Sequence, residues 1–273
     1  MKKNLILSLS VLSTLLFSAC TDQANHQESQ AENIIRKHTI RFTEPPKRIP
    51  APHSVDAPLL GNGFTGVALS GTPESQVFYV ARNDFWRLKS ALDESFPLVL
   101  GKIELDIPQL KDASYLVEQQ LYDAVSTARF TKGDISVSYK AFVPATEDML
   151  IVDLNMEGNG SVEGTVGISF LGKEEQIDNP PRERIFPDVR EHETKPNGIE
   201  YLSRAFVDSV DIPIKGAMAL RVSGSTDGKF TLEPGKTVRL VCAFSSNFKS
   251  DDCVATVIKK VEDFTPARQA EIE

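Results

Sequence analysis

Six consecutive residues, Arg82-Asn83-Asp84-Phe85-Trp86-Arg87, bring together aromatic rings, an amide, a carboxylate and two guanidinium groups, and Trp86 is the chain's only tryptophan. A sugar site needs these types. An apolar plate takes the C–H face of the ring, and amide, carboxylate and guanidinium groups take its hydroxyls. Asn83, Asp84, Trp86 and Arg87 are therefore the candidate substrate-binding residues. A plainer reading of the hexapeptide stays open: Phe85 and Trp86 fill core space while Arg82 and Asp84 pair at a sheet edge.

Just upstream, Gly61, Gly63, Gly66 and Gly71 surround the short apolar stretch FTGVALS. Residues 61–66 match the dinucleotide spacing G-x-G-x-x-G. No β-α-β pattern follows, however, so a phosphate-cradling loop is excluded in favour of a tight Asn-Gly turn entering a strand.

Glycoside hydrolysis would require two carboxyl groups facing each other across a sugar. Asp84, Asp93 and Glu94 are close in sequence, as are Glu174, Glu175 and Asp178. Proximity along a chain does not make such a pair, because most acids here alternate outward on strands or lie in polar loops. There is no G-x-S-x-G elbow. His38, His53 and His192 are scattered, and two cysteines without a nearby histidine do not make a zinc site. The residues thus predict no catalytic group, metal or cofactor within this chain.

The elements that must position these groups are strands. HTIRF and SQVFYVA alternate, the latter with Val77 and Tyr79 on one face and Phe78 and Val80 on the other. In LVLGKIELDIP, Ile103, Leu105 and Ile107 oppose Lys102, Glu104 and Asp106. Turn signals such as Lys132-Gly133-Asp134 and Gly158-Asn159-Gly160 separate further runs of the same kind. About a dozen strands result, with no crossover helices, which predicts an all-β fold of antiparallel sheets stacked face to face. MLIVDL and VRLVCAF are apolar on both faces and suit central positions.

Two regions break the pattern. Residues 171–198 are charged and proline-rich without a period, either a functional loop or a solvated insertion. Near the C-terminus Val254, Ile258, Val261 and Phe264 recur at helical spacing behind Ser250 or Asp251 as caps.

The N-terminus reads as an address. Lys2 and Lys3 precede an apolar run too short to span a membrane, and FSAC resembles a lipobox that would expose Cys20 for acylation. Residues 1–20 form the expected signal peptide, 21–33 a flexible polar tether, 34–249 the β-domain and 250–273 the helical segment. The chain would then be an exported lipoprotein at the outer membrane, periplasmic or cell-surface side, held there by lipid. A net charge of −8 without a basic stripe excludes nucleic acid as a partner. Export permits a disulfide between Cys242 and Cys253, and two small buried hydrophobes is the other reading.

Taken together, PLLGNGFTGVALSG, VARNDFWR and PLVLGKIELDIP resemble the opening of certain bacterial glycoside hydrolases, similar to the families numbered 65 and 95. The matching residues are Pro58, Gly61, Asn62, Gly63 and Gly66, then Asn83 and Trp86, then Gly101, Ile103 and Leu105. The spacing from Asn83 to Trp86 is shorter than the usual family stretch. The resemblance implies a large antiparallel β-supersandwich with a C-terminal linker helix. It also implies a carbohydrate (oligosaccharide or polysaccharide) as partner, and catalytic carboxylates supplied by a helical (α/α)₆ barrel not present here. A structural or protein-interaction lipoprotein module, or a carbohydrate-binding lipoprotein, is the alternative.

Overall fold

The computed structural model describes residues 30–50, 55–90, 95–172 and 188–272. The expected signal peptide with Cys20, most of the tether, and Asp93, Glu94, Glu174, Glu175, Asp178 and His53 lie outside these residues. The chain divides into two compact units, residues 1–38 and 39–273. The described part of the first is a short helix, α1 (Gln30–Ile35), with an Arg36–Glu32 ion pair at 3.0 Å.

The second unit is the predicted antiparallel two-sheet sandwich. Its strands are β1 (Thr39–Phe42), β2 (Leu59–Gly61), β3 (Thr65–Thr72), β4 (Ser75–Arg87), β5 (Phe96–Asp106), β6 (Ser114–Gln120), β7 (Val125–Lys132) and β8 (Ile135–Phe142). They continue with β9 (Met149–Glu157), β10 (Val162–Ser169), β11 (Val189–Thr194), β12 (Glu200–Phe206), β13 (Ile214–Val222), β14 (Lys229–Leu232) and β15 (Val238–Ser246). One sheet has nine strands in the order β1-β6-β7-β8-β9-β15-β13-β12-β11, and the other has six in the order β14-β10-β5-β4-β3-β2. Two helices follow, α2 (Cys253–Glu262) and α3 (Pro266–Ile272).

Alternation decides which side chains meet between the sheets. Phe78, Val80, Ile103 and Leu105 from the smaller sheet face Val137, Leu150, Val152, Met218 and Leu240 from the larger one in a single core. Gly71 turns β3 into β4 at φ 95°, where a side chain would overlap the Ser75 carbonyl.

The doubly apolar strands have a cause that the sequence did not reveal. α2 lies on the outer face of the nine-stranded sheet, and Cys253, Val257 and Val261 bury a second core against Met149, Ala217, Ala219, Val241 and Ala243. Of the predicted stripe only Val261 is fully buried; Val254, Ile258 and Phe264 are partly buried and pack against the same cluster, and Cys253 and Val257 take the buried positions beside Val261. The cap is likewise Asp252, whose side chain accepts from Ala255 N at 2.9 Å, rather than Ser250 or Asp251. Cys242 points into the inter-sheet core, and Cys253, the first residue of α2, packs against the opposite face of the same sheet, so the two remain free thiols. This settles the pairing in favour of two buried small groups.

Within residues 171–198, Val189–Thr194 forms β11, which pairs antiparallel with β12. It carries no apolar alternation because it is an edge strand exposed on both faces, and charge there discourages further pairing.

Candidate functional site

The hexapeptide lies where β4 leaves its ladder. Ala81 pairs with Val99, but the next β4–β5 pair is Trp86 with Pro97, so residues 82–85 bulge from that side. On the other side Thr65 still pairs with Arg82, which holds the bulge against the Gly61–Gly66 turn. The period of two is lost here, and the exposure of each side chain follows from the bulge.

Arg82 is fully buried and organises the base of the site. Its Nε and Nη2 donate to the two oxygens of Asp84, each at 2.9 Å, and Nη1 reaches Asp148 Oδ2 at 3.1 Å and Thr65 Oγ1 at 3.3 Å. Ser246 Oγ donates to Asp84 Oδ2 at 2.8 Å, and Thr65 Oγ1 donates to Asp148 Oδ1 at 3.1 Å. Burial by itself would lower the guanidinium's affinity for its proton, but Asp84 and Asp148 overcome it and raise Arg82 above its ordinary value. Burial would raise Asp84, and donation from Arg82 and Ser246 outweighs it, holding that carboxyl below its usual range.

Asn62 locks the turn above this base. Its Oδ1 accepts from Phe64 N at 3.0 Å and Thr65 N at 2.9 Å, an Asx turn. Its Nδ2 donates to the carbonyls of Pro144 and Glu147, both at 3.1 Å. Asn83 Nδ2 donates to Gly63 O at 2.8 Å, and Trp86 Nε1 donates to Asn83 O at 2.8 Å. The turn and the hexapeptide are thus brought together.

Of the four candidate ligand residues, two face outward and two do not. Asn83 is exposed and Trp86 is 36% exposed. Asp84 is turned inward with both oxygens engaged, and Arg87 is buried with Nη2 on Ser209 O at 2.8 Å. Neither Asp84 nor Arg87 is presented to a ligand, because the bulge directs both charges beneath the surface. Phe85 fills core space beside Phe206, as the plainer reading had it.

The outward face gains groups that sequence reasoning did not select. Phe64 is 46% exposed, with Lys249 Nζ 3.8 Å from its ring centroid, and Phe248 is 54% exposed. Asp148 and Ser246 had no local signal, since they reach the site from 83 residues beyond Thr65 and 162 beyond Asp84. Asn62 was legible only as a turn residue. His192 lies elsewhere, on β11, with Nε2 2.6 Å from Glu200 Oε1.

Above the ion-paired floor, Phe64 and Trp86 are thus exposed, with Lys249 over the Phe64 ring and Asn83 bonded between Gly63 and Trp86. Comparison with protein-family models and with curated proteins finds no match to this chain.

Proposed function

We propose that this chain is a carbohydrate-associated, non-catalytic domain of an exported glycoside hydrolase, and that the end of the sandwich around Trp86 is its recognition face. One observation carries the reading. Trp86 belongs to a strand whose Phe78, Val80 and Phe85 feed the core, yet its ring lies at the surface with its indole N–H already held by Asn83. A ring fixed in this way offers stacking area with little ordering cost. The exposed Asn83 next to it, and Lys249 over the Phe64 ring, supply polar groups for hydroxyls. The export signal and the tether through Cys20 belong to the same proposal and rest on sequence alone.

Calorimetric titration with neutral oligosaccharides tests the reading. A binding oligosaccharide should lose about tenfold in affinity, roughly 1.4 kcal/mol, on Trp86→Ala. Unchanged affinity in that variant would remove Trp86 from the site.

A second reading has its own support. Val207 and Ile212 are also exposed, on a loop tied to the site through Arg87–Ser209 and through Asn247 Nδ2 to Pro213 O at 3.2 Å. With Phe64, Trp86 and Phe248 they are exposed apolar side chains on segments joined to the site, which suits docking of a neighbouring protein domain. Failure of every oligosaccharide to bind would favour this reading.

A further inference from the structure

The chain contains three Asn-Gly dipeptides, at residues 62–63, 159–160 and 197–198. This pair is prone to a reaction of its own. The glycine nitrogen, once deprotonated, adds to the asparagine side-chain carbonyl carbon. The new N–C bond closes a five-membered succinimide, the bond to Nδ2 breaks, and ammonia leaves. Water then opens the ring at either carbonyl to give aspartate or isoaspartate. No oxidant or metal is needed, and glycine favours the reaction because it has no side chain to block the attacking nitrogen.

The fold treats the three pairs differently. The Asn62 side chain is held by two backbone donors on Oδ1 and by two carbonyls on Nδ2, with Asp148 Oδ1 a fifth partner at 3.4 Å. Asn197 Nδ2 donates to Glu262 Oε1 at 3.1 Å, its Oδ1 accepts from Ile199 N at 3.3 Å, and the Gly198 N–H donates to Lys195 O at 2.9 Å. Asn159 is exposed in the turn from β9 to β10, and neither its side chain nor the Gly160 N–H has a hydrogen-bond partner among the described residues. Gly160 sits at φ 85°, with open space where a Cβ would project.

We propose that Asn159 is a spontaneous modification site, converted through a succinimide with Gly160 to isoaspartate and aspartate in the folded protein, while the same chemistry at Asn62 and Asn197 is suppressed by the fold. Closure at Asn62 would require the side chain that locks the Phe64 turn to leave all its partners. The product adds one negative charge to a net −8, on one of the connections that pass from one sheet to the other.

The full chain, aged at mildly alkaline pH, tests this against the same chain in urea. Isoaspartate is read by enzymatic carboxyl methylation and located by peptide mapping. In urea the three sites set their intrinsic rates. In the native chain Asn159 should react at close to its denatured rate, and Asn62 and Asn197 at least about tenfold below theirs, since hydrogen bonds must break first. Asn159→Gln should remove the native signal. Protection of Asn159 by tenfold or more, or native reaction at Asn62 or Asn197 at the denatured rate, would overturn the assignment.

Discussion

Arg82 keeps its charge without water because two carboxylates and a hydroxyl meet it in the bulge of β4. Such a group is stable only as part of its set, and removing the cation strands two carboxylates that lie almost wholly beneath the surface. Arg82→Met should cost about 3 kcal/mol and lower the melting temperature by roughly 10 °C. A loss below ~1 kcal/mol in chemical denaturation would show that the network is not what fixes the floor. The same residues set a pH dependence. Asp84 titrates lower in the folded chain than in the unfolded one, so its stabilisation is complete above the ordinary aspartate range. It is lost as pH falls through the depressed folded value. As the sole tryptophan, Trp86 reports this directly. Its fluorescence should change on acidification below the usual carboxylate range, and Asp84→Asn should flatten that transition.

At the scale of elements, α2 explains why part of the nine-stranded sheet is apolar on its outer side. Val257 and Val261 are wholly buried there, and Lys260 and Arg268 fasten the helical segment to Glu147. Glu147 belongs to the β8–β9 turn whose next residue, Asp148, serves Arg82. A single turn therefore ties the helices to the floor of the candidate site. Val257→Ala should cost about 2 kcal/mol through lost burial and the cavity left behind. Because Cys253 lies on the buried face of the same helix, one turn before Val257, the substitution should speed its labelling by a thiol reagent. Unaltered labelling would mean that α2 opens only when the whole sandwich does.

For the molecule as a whole, the two sheets share one continuous core, and polar bridges join them at its margins. Glu200 of the larger sheet accepts from Ile168 N of the smaller at 3.0 Å, and Arg204 Nη1 donates to Val99 O at 2.7 Å. Cys242 stands inside that core, with burial pushing its thiol well above the ordinary range. Its labelling should follow global unfolding and remain unchanged by Val257→Ala, in contrast to Cys253. Alkylation in denaturant without reductant should modify both thiols, since they lie on opposite faces of one sheet.

The amino-acid order by itself determined the strands, the antiparallel all-β class and the helix after β15, because each depends on a period repeated over neighbouring residues. It also marked the hexapeptide and the glycine turn as candidates, and left open whether Trp86 lay in the core or at the surface. Only the tertiary structure decided that Asp84 and Arg87 turn inward, that Asp148 and Ser246 complete the floor, and that α2 covers one face of the larger sheet. The physical reason is the same in each case. Alternation assigns a side chain to a face only while the ladder is regular, and β4 slips its register at Ala81. Beyond that slip, direction depends on partners that the chain supplies from far away in sequence.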